Sequence, residues 1–256
     1  MDMGWRRLAA DADVWDSPEC ETLATQCRKG RRARRATAEP THRPDAIVVE
    51  EGSVLVVLDL DGYAGWLAAG DWHAAMPCEP PSDDETDPHP ASIDEARRRA
   101  VAFCLDAERT PNQYLWGGTL GPDYDCSGLV QAAYASAGLW LPRDAYQQRG
   151  HTEDVSVSEA QPGDLVFFGG RDPEKVTHVG LVCTAGPSRL AYVHSSGRQM
   201  GRDRIGRDEL GGETGSEVGQ RYQEIFLGCG RVTRGLRASE SPPPQRGFPP
   251  RGAVQD

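Results

Sequence analysis

The sequence lacks several features that would place it in broad classes of protein. No stretch approaches ~20 consecutive apolar residues, so we expect no membrane-spanning helix. Its first residues lead into no apolar segment of the kind that marks a secretory signal, which predicts a cytoplasmic protein. Acidic residues outnumber basic ones, 39 to 28, which gives a net charge of -11, and only two of the basic residues, at 29 and 175, are lysines. Such an acidic chain is not expected to bind nucleic acid or an anionic membrane.

Metal and cofactor motifs are also missing. The seven cysteines include no CxxC pair, so a zinc site is not expected, and an odd count without a secretory signal predicts reduced thiols. There is no GxGxxG, P-loop or HExxH motif. We therefore expect no cofactor and no metal. The remaining question is whether one of the cysteines is a reactive nucleophile.

Composition divides the chain into four parts. Residues 1–77 carry short apolar runs, clearest at 46–50 and 53–60, with turn signals between them, which predicts a small β-barrel. Residues 78–91 form a linker rich in proline and acidic residues, and residues 237–256 are predicted to be a disordered tail. Between them, residues 92–236 show helical patterns followed by strands, typical of an α+β domain.

Two helices are predicted at the start of this α+β domain. A capping box of Ser92 and Glu95 opens the first, and the second begins near Cys126 and stops at Gly138. The buried face of the first helix is predicted to hold Ile93, Ala96, Ala100, Phe103, Cys104 and Ala107, and that of the second Leu129, Val130, Ala133, Tyr134 and Ala137.

Cys126 is the candidate nucleophile. It precedes the apolar face of the second helix, where unpaired N–H groups and the positive end of the dipole are expected to lower the pKa of a thiol. Asp125 is placed to cap this helix, and Gly128 lets a substrate approach closely. The alternative is a cysteine buried in the core.

Two histidines are candidates for the base that a thiol nucleophile needs. His178 opens one predicted strand and His194 closes the next, and their midpoint is Gly186 in a turn-forming segment. A hairpin around that turn places the two residues directly opposite each other, with Cβ atoms about 5 Å apart. One imidazole then accepts the thiol proton while the other orients it. The alternative is that each histidine is held by backbone groups at a strand end.

Five motifs in a fixed order resemble those of the NlpC/P60 cysteine peptidases, over about residues 92–233. They are YLWGG at 114–118, DCSGLV at 125–130, LPR at 141–143, QPGDLVFF at 161–168 and THVGL at 177–181. The resemblance implies a papain-like α+β fold that cleaves peptidoglycan peptides, commonly after γ-D-glutamate. It implies Cys126 as nucleophile, His178 as base, His194 as orienting residue and Tyr114 as oxyanion donor, although Tyr114 in its loop could also be packing.

Residues 61–67, before the linker, resemble the SH3-like domain that precedes some bacterial NlpC/P60 domains. That resemblance implies an endopeptidase for peptides with a free N-terminal L-Ala, cut between γ-D-glutamate and a diamino acid. Tyr63 would reach the substrate or pack in the barrel wall. The amine partner is one of Asp61, Asp71 and Asp125, with Asp125 preferred. Ser127 and Asp144 complete the expected substrate contacts, although the family often has Ser or Thr near Asp144.

The sequence thus predicts a cysteine endopeptidase that recycles cell-wall peptides. The alternatives are an exported peptidoglycan hydrolase and a non-catalytic module that binds wall peptides. The basic run 28–35 is expected to be a solvated loop.

Overall fold

The computed structural model describes residues 4–36, 52–82, 93–169, 175–186, 189–211 and 215–238. The chain divides into two compact units, one from Met1–Thr86 with Arg237–Asp256 and the other from Asp87–Leu236. The predicted strand at 46–50, the linker from 83 to 91, the helix cap Ser92 and the tail from 239 onward lie outside the described residues. In the part that the structure describes, no helix is both long and apolar enough to cross a membrane.

The described part of the first unit is an antiparallel sheet with one short helix, α1 (Ala69–Ala74). Its strands are paired in the order β3-β2-β6-β5-β4-β1-β7. They are β1 (Trp5–Arg7), β2 (Ala12–Trp15), β3 (Leu23–Cys27), β4 (Arg32–Arg35), β5 (Ser53–Leu58), β6 (Ala64–Ala68) and β7 (Met76–Cys78). β5 is the strongest strand signal in the sequence, because its valines and leucines fit a pleated, buried surface.

Two features of this unit differ from the sequence prediction. Among the described strands the pairing does not join β3 to β7, so a closed barrel is not found, and the SH3-like assignment stays a prediction. Cys78, which the composition placed at the start of the linker, belongs to β7, which pairs with β1 as an edge strand, where a proline is tolerated.

Most of the basic run is not a solvated loop: only Arg28 and Lys29, at its start, are exposed. Arg32–Arg35 is β4, between β1 and β5, and Arg31 is buried with bonds to the Asp59 and Asp61 carboxylates at 3.0 and 2.6 Å. The charge pattern misled the prediction because buried carboxylates elsewhere in the unit neutralise Arg31.

The second unit is α+β, as predicted. Its antiparallel sheet has the order β12-β11-β10-β9-β13-β8 in the described residues. The strands are β8 (Glu153–Val155), β9 (Leu165–Gly169), β10 (Val176–Gly186), β11 (Arg189–Ser196), β12 (Arg204–Leu210) and β13 (Phe226–Arg231). The helices are α2 (Ile93–Arg109), α3 (Cys126–Ser136), α4 (Ala145–Gly150) and α5 (Glu217–Glu224).

Both faces of this sheet are covered, because alternate residues of each strand point to opposite sides. Leu165, Phe167 and Val179 pack in a core with residues of α2 and α3. Phe168 and Tyr192 pack on the other side, in a core that includes Tyr222 of α5. The sheet therefore holds the start of α3 and the start of β10 in fixed positions.

The predicted helix faces are confirmed. Ala96, Ala100 and Cys104 of α2 are buried, and Ile93, Phe103 and Ala107 pack against the same core. Leu129, Val130, Ala133 and Tyr134 of α3 are fully buried, Ala137 packs beside them, and Gly138 follows the helix with a φ of 86°.

Candidate active site

Cys126 is the first residue of α3, as predicted. Asp125 is the N-cap: its carboxylate accepts the backbone N–H of Gly128 at 2.6 Å, and also that of Gly117 at 2.9 Å. This cap ties the start of α3 to the loop that carries the YLWGG motif. The thiol is thereby held where the helix N–H groups converge.

The Cys126 thiol is neutral in the resting site, contrary to the lowered pKa expected from its helix position. Burial and, to a smaller extent, the Asp125 charge raise the pKa of Cys126 to about 12. Hydrogen bonds from the backbone N–H groups of Val179 and Ser127 act in the opposite direction without overcoming burial. The bond from Val179 also shows that the sulfur lies against the strand residue that follows His178.

His178 and His194 are hydrogen bonded to each other, although not by the predicted register. The distance from Nε2 of His178 to Nδ1 of His194 is 2.7 Å. Gly186 pairs with Arg189, so the turn lies further along the chain than predicted, and a bulge follows Val182. The pair of Leu181 with Val193, continued outward, places His194 beside Gly180 rather than His178. The shift of two residues keeps both rings on one face of the sheet, and they meet diagonally.

Sequence reasoning missed the group behind His194. The carboxylate of Asp208 on β12 lies 2.8 Å from Nε2 of His194 and receives two further bonds from Arg202, at 2.7 and 3.0 Å. Ser216 also donates to this carboxylate. β12 pairs with β11 and sets Asp208 opposite Tyr192. The polar sequence RIGRDEL gives a weak strand signal, so the only available sign was an acidic residue after the second histidine.

Two tyrosines border this group. Tyr222 of α5 stacks on His178 with ring centroids 4.5 Å apart and shares a hydrogen bond of 2.9 Å with Ser196. Tyr114 is half-buried, and its backbone N–H donates to Asp203. Burial and then the nearby Cys126 raise the pKa of both phenols, so each hydroxyl keeps its proton and can donate.

The predicted substrate contacts at Asp125 and Ser127 are occupied within the protein. Arg143, which is 2% exposed, bonds to Asp125 Oδ2 at 2.6 Å and to Ser127 Oγ at 2.9 Å. Together with the two backbone bonds, these contacts use both carboxylate oxygens of Asp125. They favour a positioning role for Asp125 over the amine contact that the sequence suggested.

The two remaining predicted contacts lie elsewhere. Asp144 is the half-buried N-cap residue of α4, and its backbone N–H donates to Gln147. Tyr63 belongs to the first unit and is 6% exposed in its apolar core, as its packing alternative predicted. Substrate roles for both stay predictions. Among the described residues, no set of three or more His, Cys, Asp or Glu side chains is arranged to hold a metal ion.

The second unit is similar to known proteins. Residues 111–208 match the NlpC/P60 family. The chain is 45% identical over 102 residues to the bifunctional muramidase/DL-endopeptidase CwlT of Bacillus subtilis. The aligned segment covers 38% of this chain and 30% of that protein. It is 36% identical over 88 residues to the gamma-D-glutamyl-L-lysine dipeptidyl-peptidase of the same species, 34% of this chain and 29% of that one.

A solved structure of a lipoprotein-like NLP/P60 family protein from Staphylococcus aureus is 27% identical, with a TM-score of 0.42 over 66% of this chain and 51% of that chain. The matched segments span less than a third of the two Bacillus relatives. The second unit of this chain therefore carries a domain of the NlpC/P60 family, whose peptidases are cysteine peptidases.

Proposed function

We propose that this protein is a cysteine endopeptidase that hydrolyses the bond after γ-D-glutamate in peptides derived from peptidoglycan. The observation that carries the proposal is the line of side chains behind Cys126, in which His178, His194 and Asp208 are joined at 2.7 and 2.8 Å. A buried carboxylate behind two imidazoles, next to a cysteine at a helix start, is the nucleophile, base and orienting-group arrangement of acyl transfer.

The reaction has two halves. In the first, the Cys126 thiol proton passes to His178 as the sulfur attacks the γ-glutamyl carbonyl carbon, and the Tyr114 hydroxyl with backbone N–H groups at the start of α3 stabilises the oxyanion. The C–N bond then breaks, and His178 gives the proton to the leaving amine. In the second half, His178 takes a proton from water as the water oxygen attacks the thioester carbon; the C–S bond then breaks to release the carboxyl product, and His178 returns the proton to the Cys126 sulfur.

The neutral state of Cys126 and His178 before the reaction is consistent with this sequence of proton transfers. Burial and the neighbouring His194 lower the pKa of His178 well below 6.5, while burial raises that of Cys126. Neither group is therefore charged at neutral pH before substrate arrives, and the proton moves only when the carbonyl is in place.

The substrate class rests on the names of the relatives and on the sequence resemblance. A dipeptidyl-peptidase that cuts after γ-D-glutamate requires a free amine on the preceding L-Ala. The Asp125 carboxylate is held by Arg143 and that of Asp144 caps α4, so neither is assigned the amine contact. Peptides with that free amine are fragments already cut from the glycan, which fits a role in cell-wall recycling in the cytoplasm.

The test is mass spectrometry of L-Ala-γ-D-Glu-meso-diaminopimelate incubated with the 256-residue chain. Wild type is expected to release L-Ala-D-Glu, and Cys126→Ala is expected to release none. Cys183→Ala, which removes a half-buried thiol on β10, is the matched control and is expected to retain activity. The same peptide with an acetylated N-terminus is expected to resist cleavage.

The other outcomes identify the alternatives. Cleavage of the acetylated peptide, or of intact sacculi, would indicate a broader wall hydrolase and would overturn the free-amine requirement. Binding of the free peptide in a calorimeter without any cleavage would overturn the enzyme and favour a wall-peptide binding module.

A further inference from the structure

The hydrogen bonds behind Cys126 fix the positions of protons as well as of atoms. An ionised carboxylate only accepts, so the Nε2 atom of His194 must carry the proton in its bond of 2.8 Å to Asp208. A neutral imidazole has one donor nitrogen and one acceptor nitrogen, so Nδ1 of His194 accepts. The proton in the bond of 2.7 Å between the rings then belongs to Nε2 of His178, and Nδ1 of His178 keeps a lone pair.

We propose that Asp208, held by Arg202 and Ser216, is a positioning residue that sets the tautomers of both histidines and so leaves Nδ1 of His178 able to take the Cys126 proton. The last step rests on the proposed peptidase function, whereas the ring tautomers do not. Asp208 is suited to the role because it is 4% exposed and fixed by two bonds from the Arg202 guanidinium and one from Ser216. Burial alone would raise the pKa of Asp208, but the hydrogen bonds from His194, Arg202 and Ser216 outweigh it and lower the pKa to about 2, so Asp208 stays ionised at neutral pH.

Because Arg202 lies nearby, the tautomers of the two histidines depend on the presence of the Asp208 carboxylate. Its Nη1 atom lies 3.1 Å from Nε2 of His194, close enough to donate to that nitrogen once the carboxylate is gone. In that case Nδ1 of His194 would carry the proton and donate to His178. Nε2 of His178 would then accept, its Nδ1 would be protonated, and no base would remain for Cys126.

The other groups near the two rings do not compete for this role. Tyr192 and Tyr222 flank His194 with ring centroids at 5.0 and 4.7 Å, and Phe168 and Tyr222 flank His178 at 5.7 and 4.5 Å. The Tyr222 hydroxyl is shared with Ser196. Two charged groups therefore act on the two rings: Asp208 stabilises the protonated, positively charged imidazoles, and Arg202 destabilises them.

The direct test is nitrogen-15 NMR of the ring nitrogens in the 256-residue chain labelled at its six histidines. Wild type is expected to show Nε2–H tautomers at both His178 and His194. Asp208→Ala is expected to reverse both to Nδ1–H and to lower kcat/KM by at least about 10²-fold, the contribution typical of a general base. Unchanged tautomers in Asp208→Ala would overturn the proposal, because another group would then be setting them.

A second variant covers the case in which Asp208→Ala fails to fold. Asp208→Asn keeps the shape and removes the charge that favours protonated His178, so the acid limb of kcat/KM is expected to move to lower pH. Glu209→Gln, on the same strand and 31% exposed, is the control and is expected to keep the wild-type profile. An Asp208→Asn profile that coincides with wild type would overturn the proposal.

The tautomers are read without substrate, so the two proposals fail separately. Wild-type protein that shows both Nε2–H tautomers but cleaves no wall peptide would leave the role of Asp208 intact and overturn only the proposed function.

Discussion

At the scale of the residue, the start of α3 is organised around one buried ion pair. Arg143 and Asp125 are 2% and 6% exposed, and the carboxylate that caps the nucleophile's helix is also the partner of the guanidinium. Removing one member of a buried pair leaves the other charge without compensation, which costs far more than the pair itself contributes. The position of Cys126 therefore depends on Arg143, although the two are separated in sequence and Arg143 has no direct part in the reaction.

We expect Arg143→Met to lower the free energy of unfolding by about 3–5 kcal/mol, because it leaves the Asp125 carboxylate unpaired in the interior. Urea denaturation measures this loss. Arg98→Met is the matched control: it removes an arginine that is 69% exposed and paired with Glu95, and it should cost less than about 1 kcal/mol. Equal losses in the two variants would show that the buried pair is not special. The double variant Arg143→Met with Asp125→Leu should recover part of the stability.

At the scale of the element, what can be learned from sequence depends on how apolar the element is. The buried faces of α2 and α3 and the strands β9, β10 and β11 follow from their apolar periodicity. β12 was not predicted because its sequence is mostly polar, and Asp208, which lies on this strand, was therefore missed as well. The predicted register of the hairpin was wrong by two residues, because a bulge and a displaced turn leave no sequence signal. The predicted contact of His178 with His194 is nevertheless present, because side chains alternate with a period of two and a shift of two residues keeps both on the same face.

Gly128, in the first turn of α3, was correctly singled out from the sequence, but for the wrong reason. Gly128 was expected to make room for a substrate. In the structure a Cβ at this position would overlap the carbonyl oxygen of Gly118 and lie 2.9 Å from Asp125 Oδ1. The glycine is needed because the YLWGG loop packs directly on the helix, and that contact was not visible in the spacing of the motifs.

Gly128→Ala is accordingly expected to push the helix start away from the loop, lowering stability by about 1–3 kcal/mol, as overpacking does, and reducing peptide hydrolysis. Thermal unfolding and the hydrolysis rate measure the two effects. The control is Gly150→Ala at the end of α4, where a Cβ meets nothing within 4 Å, and it should be neutral or slightly stabilising. Wild-type activity in Gly128→Ala would show that the loop moves without disturbing Cys126.

At the scale of the whole molecule, the first unit has one apolar core and the second has one on each face of its sheet, and all three enclose cysteines. Cys27 lies in the core of the first unit, and Cys104, Cys126 and Cys229 lie in those of the second. Burial raises the pKa of every one of these thiols, to about 12 for Cys27 and about 11 for Cys229. Helical periodicity predicted the burial of Cys104, whereas the burial of Cys27 and Cys229 is shown by the packing.

These thiols make the folded chain sensitive to alkali. A thiol whose pKa is raised by folding contributes stability that is fully present below its unfolded value of 9.0, and that stability is lost as pH rises towards the folded value. Each pH unit in that interval costs about 1.4 kcal/mol per thiol. The urea midpoint of unfolding is therefore expected to fall between pH 8 and pH 10, below the range in which buried tyrosines dominate.

Cys104→Ala isolates one of these contributions in the second unit. It should lower stability at pH 8, because a buried side chain is truncated, and it should also make the decline towards pH 10 shallower. Val130→Ala, in the same core, removes buried methyl groups and no titratable group, so it should lower stability equally at both pH values. If Cys104→Ala lost stability between pH 8 and pH 10 as steeply as wild type, the alkaline sensitivity would have to come from groups other than the buried thiols.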